Sequence, residues 1–179
     1  MRAEPMSDRA WDVFESPLGP LTLLGGPAGL RAIAFPGRRP QRDEGERRPV
    51  AFAAVRAQLA EYFAGERTAL ELALDVGGTP FQRGVWRELA RIPYGTTVSY
   101  TELARSVGRP DRVRAVGAAV GRTPVPIVIP CHRFVGSDGA LTGYGGGLQR
   151  KAALLELEAR TATGRPPEPA WAFRQLALL

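Results

Sequence analysis

The chain is poor in the residues that make metal sites and disulfides. It has one cysteine, one histidine and two methionines in 179 residues. A single thiol cannot close an internal disulfide, and with one imidazole beside it no multi-thiolate zinc site can be built. No metal and no cofactor are expected. No run approaches the roughly 18 consecutive apolar residues that a membrane span needs, so no membrane partner is expected. The opening MRAEPMSDRAWD has no apolar core behind its charges, which reads as a chain without a secretory signal and predicts a cytoplasmic protein. Lysine is also scarce: of 24 basic side chains, 23 are arginine.

What is present is apolar enough to bury a core, with 44% hydrophobic residues. Charge is unevenly spread. Residues 1–78 carry 10 basic and 11 acidic side chains, whereas residues 79–160 carry 12 and 6. The net of +6 thus sits in the stretch that also holds the only cysteine and histidine. A concentrated positive field favours a polyanionic partner.

The first half reads as a small α/β unit, residues 1–78. Short apolar runs around Trp11–Phe14, Leu21–Leu24 and Leu30–Phe35, broken by Pro- and Gly-rich turns, predict antiparallel strands. VAFAAVRAQLAEYFAGE carries a helical stripe of Phe52, Val55, Leu59 and Tyr62–Phe63, with Gly65 as a stop. TALELALDV alternates and predicts a further strand, and Gly77–Gly78 marks the domain boundary.

The second half, residues 79–160, reads as mostly helical. Thr79, Pro80 and Gln82 form a capping-box start for a helix to about Arg91. Ser99 and Glu102 form a second box, opening a short helix through Val107. A third helix is expected from Pro110 to Gly121, with Val113, Val116 and Val120 docking on the preceding helix. Its other surface offers Arg112, Arg114 and Arg122 around Ala115, Ala118 and Ala119. Two short helices joined by a Gly-containing turn are a helix-turn-helix candidate, a shape that lets DNA approach closely. Residues 161–179 form an extension in which Trp171, Phe173 and Leu176 predict packing on the domain.

After the helices, VPIVIPCHRF reads as a short strand ending at a turn, followed by the glycine-rich SDGALTGYGGG and a helix LQRKAALLELE. A lone cysteine among apolar residues is ordinarily a small buried hydrophobe. Cys131 differs in lying where the chain must turn, beside His132 and Arg133, which would lower its pKa and favour thiolate. A pliable glycine wall follows, suited to a flat ring. As a general base, His132 needs an orienting carboxylate, and Asp138, Glu156 and Glu158 are all candidates. Thiol hydrolysis is the competing chemistry, although adjacent residues on a strand point opposite ways.

PCHRF with LTGYGGGLQRK and LLELE, and upstream FQRGVWRELARIPYGTTVSYTELA and RAVGAAVGRTPVPIVIPCHR, resemble the methylated-DNA–protein-cysteine methyltransferases, or O6-alkylguanine-DNA alkyltransferases. The resemblance covers about residues 79–158, while the first 78 match in layout only. It implies irreversible transfer of an alkyl group from O6-alkylguanine, and from O4-alkylthymine, to Cys131, with each molecule used once. His132 would act through a bound water as base and Glu158 would orient it. Tyr100 would help rotate the nucleotide and donate to guanine N3. Arg114 would fill the space left by the flipped base, and Arg109, Arg112, Arg122 and Arg133 would contact DNA. Tyr144, Gly145, Gly146, Phe134 and Lys151 would line or adjoin the guanine pocket. Thr123 stands where the family pattern has an asparagine hinge, and Phe134 where it has valine. The implied partner is double-stranded DNA containing O6-alkylguanine, with no obligate protein partner and a monomeric state. The alternative is a non-enzymatic lesion-binding or helix-turn-helix regulatory protein, which would leave PCHR idle.

Overall fold

A computed structural model describes residues 9–37 and 45–164. Three strands, β1 (Ala10–Ser16), β2 (Gly19–Gly26) and β3 (Gly29–Ala34), form an antiparallel meander at the three expected places. The two-residue β4 (Glu46–Arg47) adds parallel to β1, giving the order β3-β2-β1-β4. Period-two alternation sends Leu21 and Leu23 to the inner face, where both are fully buried. A 3₁₀ turn (Pro49–Phe52) leads into α1 (Ala53–Phe63), whose Val55, Leu59, Tyr62 and Phe63 close on that face. Asp12, directly opposite Leu23, is buried on the same face between Arg56 at 2.6 Å and Arg47 at 3.1 Å. Burial pushes its carboxyl up, and the hydrogen bonds from Arg56, the Val13 backbone and Arg47 outweigh this and hold it below the usual range.

The alternating TALELALDV segment does not form the expected strand. It makes a single bridge to β3, with Leu30 N–H donating to Ala73 O and Asp75 N–H to Leu30 O, both at 2.9 Å. Further along, the Gln58 side chain donates to Glu71 O at 3.0 Å and accepts from Glu71 N–H at 2.7 Å. A side-chain amide thus takes over part of the pairing that a neighbouring strand would supply.

Both capping boxes are present. Thr79 and Gln82 start α2 (Pro80–Leu89), and Ser99 and Glu102 start α3 (Tyr100–Ser106). A third helix, α4 (Val113–Gly121), begins three residues later than expected, because Pro110 and Asp111 belong to a turn and Arg112 caps without its side chain. Val116, Ala119 and Val120 bury against α2 and α3. Ala119 was expected on the outer face; it is 2% exposed, and its carbonyl accepts from the Trp86 indole at 2.9 Å. Gly117 faces Tyr100 so closely that a Cβ would stand 2.8 Å from the ring.

Residues 125–130 are not a strand either. They fold into a tight turn in which Ile129 N–H donates to Val125 O at 2.9 Å, with Ile127 in the left-handed region at φ 76°. That conformation is costly for a β-branched side chain and is held by burial of Ile127 in the core. Two-residue strands β5 (Val98–Ser99) and β6 (Phe134–Val135) pair in parallel, and α5 (Leu148–Ala162) closes the described structure. Ala153, Leu154 and Leu157 of α5 join the core of the N-terminal sheet, so this helix belongs to both halves. The expected packing of Trp171, Phe173 and Leu176 lies outside the described residues. No described helix is long and apolar enough to cross a membrane.

Candidate active site

The backbone turns twice to present Cys131. Pro130, at φ −78° and ψ 61°, makes an inverse γ-turn in which Cys131 N–H donates to Ile129 O at 2.7 Å. A 3₁₀ turn over Cys131–Arg133 follows, with Arg133 N–H on Pro130 O at 3.0 Å. This removes the geometric objection to adjacent thiol and imidazole, since the two residues are not on a strand.

His132 is fully buried, and its Nε2 lies 2.8 Å from Glu158 Oε1. Of the three candidate carboxylates, the structure brings Glu158 to the imidazole. Glu158 is surrounded by donors. Oε1 also accepts from the Tyr62 hydroxyl at 2.7 Å and Arg133 Nη2 at 2.8 Å. Oε2 accepts from Arg133 Nε at 2.8 Å and Gly95 N–H at 3.0 Å. Burial alone would raise its pKa, but the hydrogen bonds from His132 and Arg133 and their charges hold it at about 2. The carboxylate is therefore ionised, and His132 Nε2 is assigned as its donor. The other ring nitrogen, Nδ1, is buried with no hydrogen-bond partner among the described residues. Burial holds the imidazole below its usual pKa, opposed by Glu158. His132 is thus neutral, with a lone pair available on Nδ1.

The expected low pKa of Cys131 is not found. The thiol is 6% exposed, and burial pushes it up to about 11. Hydrogen bonding from Thr123 and the backbone, and the charge of Lys151, only partly oppose this. Arg133, one of the two groups expected to favour thiolate, spends its charge on Glu158 instead. Its third nitrogen donates to Ile92 O at 2.6 Å, and its guanidinium stacks 5.5 Å from the Tyr94 ring. At 7% exposure it is no DNA contact, which corrects the expectation for this residue.

Beside Cys131 a cleft opens to solvent, lined by Thr123, Gly143, Tyr144, Gly145 and Gly146 and, at the end of β3 and just beyond it, by Ile33 and Phe35. Gly146 has no room for a side chain, because a Cβ would lie 2.8 Å from both the Phe35 and Tyr144 rings. The Tyr144 hydroxyl is buried and unpaired among the described residues. Such a group inside a cleft marks a place for a ligand's polar edge. Two expected pocket residues lie behind the cleft wall rather than in it. Phe134 is 1% exposed and packs on Tyr100 with centroids 3.9 Å apart. Lys151, the only lysine, is fully buried and donates to the carbonyls of Phe134 and Thr142, pinning β6 to the glycine loop. Tyr100 is placed by that same loop, its hydroxyl accepting from Thr142 Oγ1 at 3.0 Å.

Arg109, Arg112, Arg114 and Arg122, with Ala115 and Ala118, are exposed on or beside α4. Among the described residues no cluster of His, Cys, Asp and Glu could hold a metal ion.

Residues 80–160 match the 6-O-methylguanine DNA methyltransferase DNA binding domain, and residues 10–76 match the ribonuclease-like domain of the same family. The methylated-DNA–protein-cysteine methyltransferase of Mycobacterium tuberculosis is 48% identical over 147 residues, covering 81% of this chain and 89% of the relative. This chain belongs to the methylated-DNA–protein-cysteine methyltransferase family. The methyltransferase of Methanosarcina barkeri is 45% identical over 152 residues, covering 83% of this chain and 96% of the relative. The crystal structure of M. tuberculosis OGT in complex with DNA superposes with a TM-score of 0.84 at 43% identity, over 94% of this chain and 99% of that one. The chain is accordingly a direct-repair alkyltransferase working through its active-site cysteine.

Thr123 is one of the two positions, with Phe134, at which a departure from the family's pattern was expected. Its hydroxyl donates to Val120 O of α4 at 2.7 Å, and the residue lines the cleft together with Cys131, so it lies between α4 and the acceptor. A hydroxyl has one proton, whereas an asparagine amide has two. That one proton can serve a thiolate only by leaving the Val120 carbonyl, whereas an amide can serve both. Thr123→Asn is therefore expected to lower the Cys131 pKa and to leave transfer at least as fast. Ultraviolet thiolate titration and single-turnover transfer check this. Wild-type chain that never alkylates, with transfer restored by Thr123→Asn, would show threonine to be disabling.

Proposed function

We propose that Cys131 takes the alkyl group from O6-alkylguanine, and from O4-alkylthymine, in double-stranded DNA, by an in-line displacement with the roles divided as follows. The thiol proton passes through a bound water to His132 Nδ1, and Glu158 stabilises the imidazolium that forms. Sulfur bonds to the alkyl carbon as the bond from that carbon to O6 breaks. The leaving guanine gains negative charge and is met by the Tyr100 hydroxyl at N3. Thr142 supports this step by donating to Tyr100, which leaves the phenol's own proton free for the base. Tyr144, Gly145 and Gly146 receive the flipped base. Arg114 enters the duplex, while Arg109, Arg112 and Arg122 contact phosphates without regard to sequence. The thioether has no hydrolytic exit, so each molecule acts once, as a cytoplasmic monomer.

The observation that carries this reading is the pairing of a buried thiol with a neutral, Glu158-bound imidazole whose second nitrogen is free. Intact-mass measurement after incubation with duplex DNA carrying O6-methylguanine tests it. One methyl group per chain, on Cys131, is expected, after which activity stops. Repeated turnover by one molecule, or label on another residue, overturns it. A regulator without chemistry would bind DNA and show no mass change.

A further inference from the structure

The catalytic carboxylate is held from two directions. His132, Arg133 and Gly95 reach Glu158 from the C-terminal half, but the shortest of its hydrogen bonds comes from α1 of the N-terminal half, 96 residues away in sequence. The Tyr62 hydroxyl donates to Oε1, the same oxygen that binds the imidazole, at 2.7 Å. Tyr62 is 1% exposed, and its ring is fixed edge-on against Phe63 and Tyr94 at centroid separations of 5.4 and 5.9 Å. It therefore has no solvent to donate to and little freedom to turn away. We propose that Tyr62 is a positioning residue of the transfer reaction, by which the N-terminal domain fixes Glu158 Oε1 and limits how strongly that oxygen binds His132.

The argument is one of shared charge. An ionised carboxylate oxygen that accepts from Tyr62, His132 and Arg133 divides its negative charge among three donors. Removing the phenol leaves more of it for the imidazole, which then protonates more readily and holds its proton more tightly. The groups facing Glu158 are Tyr62 from α1, Tyr94 from the turn after α2, and His132 and Arg133 from the acceptor turn. Lys151, Cys131 and Tyr144 lie next beyond them. Tyr62 is the neutral donor among the three on Oε1 other than the imidazole itself, so deleting its hydroxyl changes no formal charge in the site. Its own proton is secure, since burial and the Glu158 charge raise the phenol well above its usual range.

The inference rests on the proposed role of His132 and Glu158, and its test separates the two. His132 is the only histidine in the chain, so its imidazole resonances need no assignment. In full-length Tyr62→Phe the imidazole should protonate at a higher pH than in the wild type, whereas loss of packing alone would leave it unmoved. Single-turnover transfer should nonetheless slow roughly tenfold at neutral pH, because a carboxylate no longer fixed by the phenol aims the imidazole less well at the thiol's proton, with duplex affinity unchanged. In the Glu158→Gln background the same substitution should cost nothing further. An unmoved His132 titration, or losses that simply add, overturns the proposal. If Tyr62→Phe does not fold, the wild-type chain still decides. A slowly exchanging downfield hydroxyl proton with a cross-peak to the His132 ring is expected, and its absence overturns the proposal. Failure of the wild-type chain to methylate Cys131 would instead overturn the reading on which it rests.

Discussion

Glu158→Gln is expected to be among the costliest single substitutions in the chain. The carboxylate accepts from Tyr62, His132, Gly95 and two nitrogens of Arg133. A glutamine has one oxygen to offer, and its amide nitrogen would face donors. Arg133 would be left buried without a counter-charge. Breaking a buried pair by removing one partner costs about 3–5 kcal/mol, which in a chain of this size lowers Tm on the order of 10 °C. Transfer should slow by about 10²-fold or more, because the base loses its orientation and the imidazolium its partner. Thermal unfolding and single-turnover kinetics measure the two effects. A melting temperature matching that of the wild type would mean the donors find other partners, and the proposed network would fail. The pH dependence follows the depressed carboxyl. The free carboxyl titrates near 4.5 and the folded one at about 2, so the stabilisation is complete above 4.5 and is lost as pH falls toward 2. The variant should lack that component of acid sensitivity.

Arg114→Ala is expected to separate duplex substrate from free base. Arg114 is exposed on α4, whereas the thiol is buried, so its loss should not alter the chemistry at Cys131. If it fills the gap left by the extruded nucleotide, the unstacking cost of a few kcal/mol is no longer offset. Transfer from duplex O6-methylguanine should then fall by about 10²-fold, while reaction with free O6-benzylguanine stays near the wild-type rate. Equal losses on both substrates would refute the flipping role and point to a damaged site.

The difference between what local sequence revealed and what it hid has a physical basis. The capping boxes at Thr79 and Ser99 are readable because donor and acceptor lie three residues apart, and both formed. The strands of the meander were readable because their alternation faces one core. Residues 68–76 alternate just as well, yet their partners include Gln58 and Leu30, and pairing is what makes a strand. At 125–130 the apolar run hid a turn, since Ile127 at positive φ leaves no compositional trace. Arg133 was read as a partner of the thiol and of DNA because its actual partner, Glu158, lies 25 residues on. Tyr62 was read as part of an apolar helical stripe, which is true of its ring and silent about its hydroxyl. The family motif singled out Cys131, His132 and Glu158, which all lie in the second half of the chain. It could not reveal what the first half adds to them.

A reagent that can be used once has a problem that a recycling enzyme does not. Any stray electrophile that reaches the sulfur destroys the molecule before it meets DNA. Cys131 lies 6% exposed with its thiol held near pKa 11, so at neutral pH almost none of it is the reactive anion. Under the proposed mechanism the proton acts as a safety catch that His132 takes off when transfer begins. Oxidants and soluble alkylating agents meet a protonated sulfur, which reacts with them poorly.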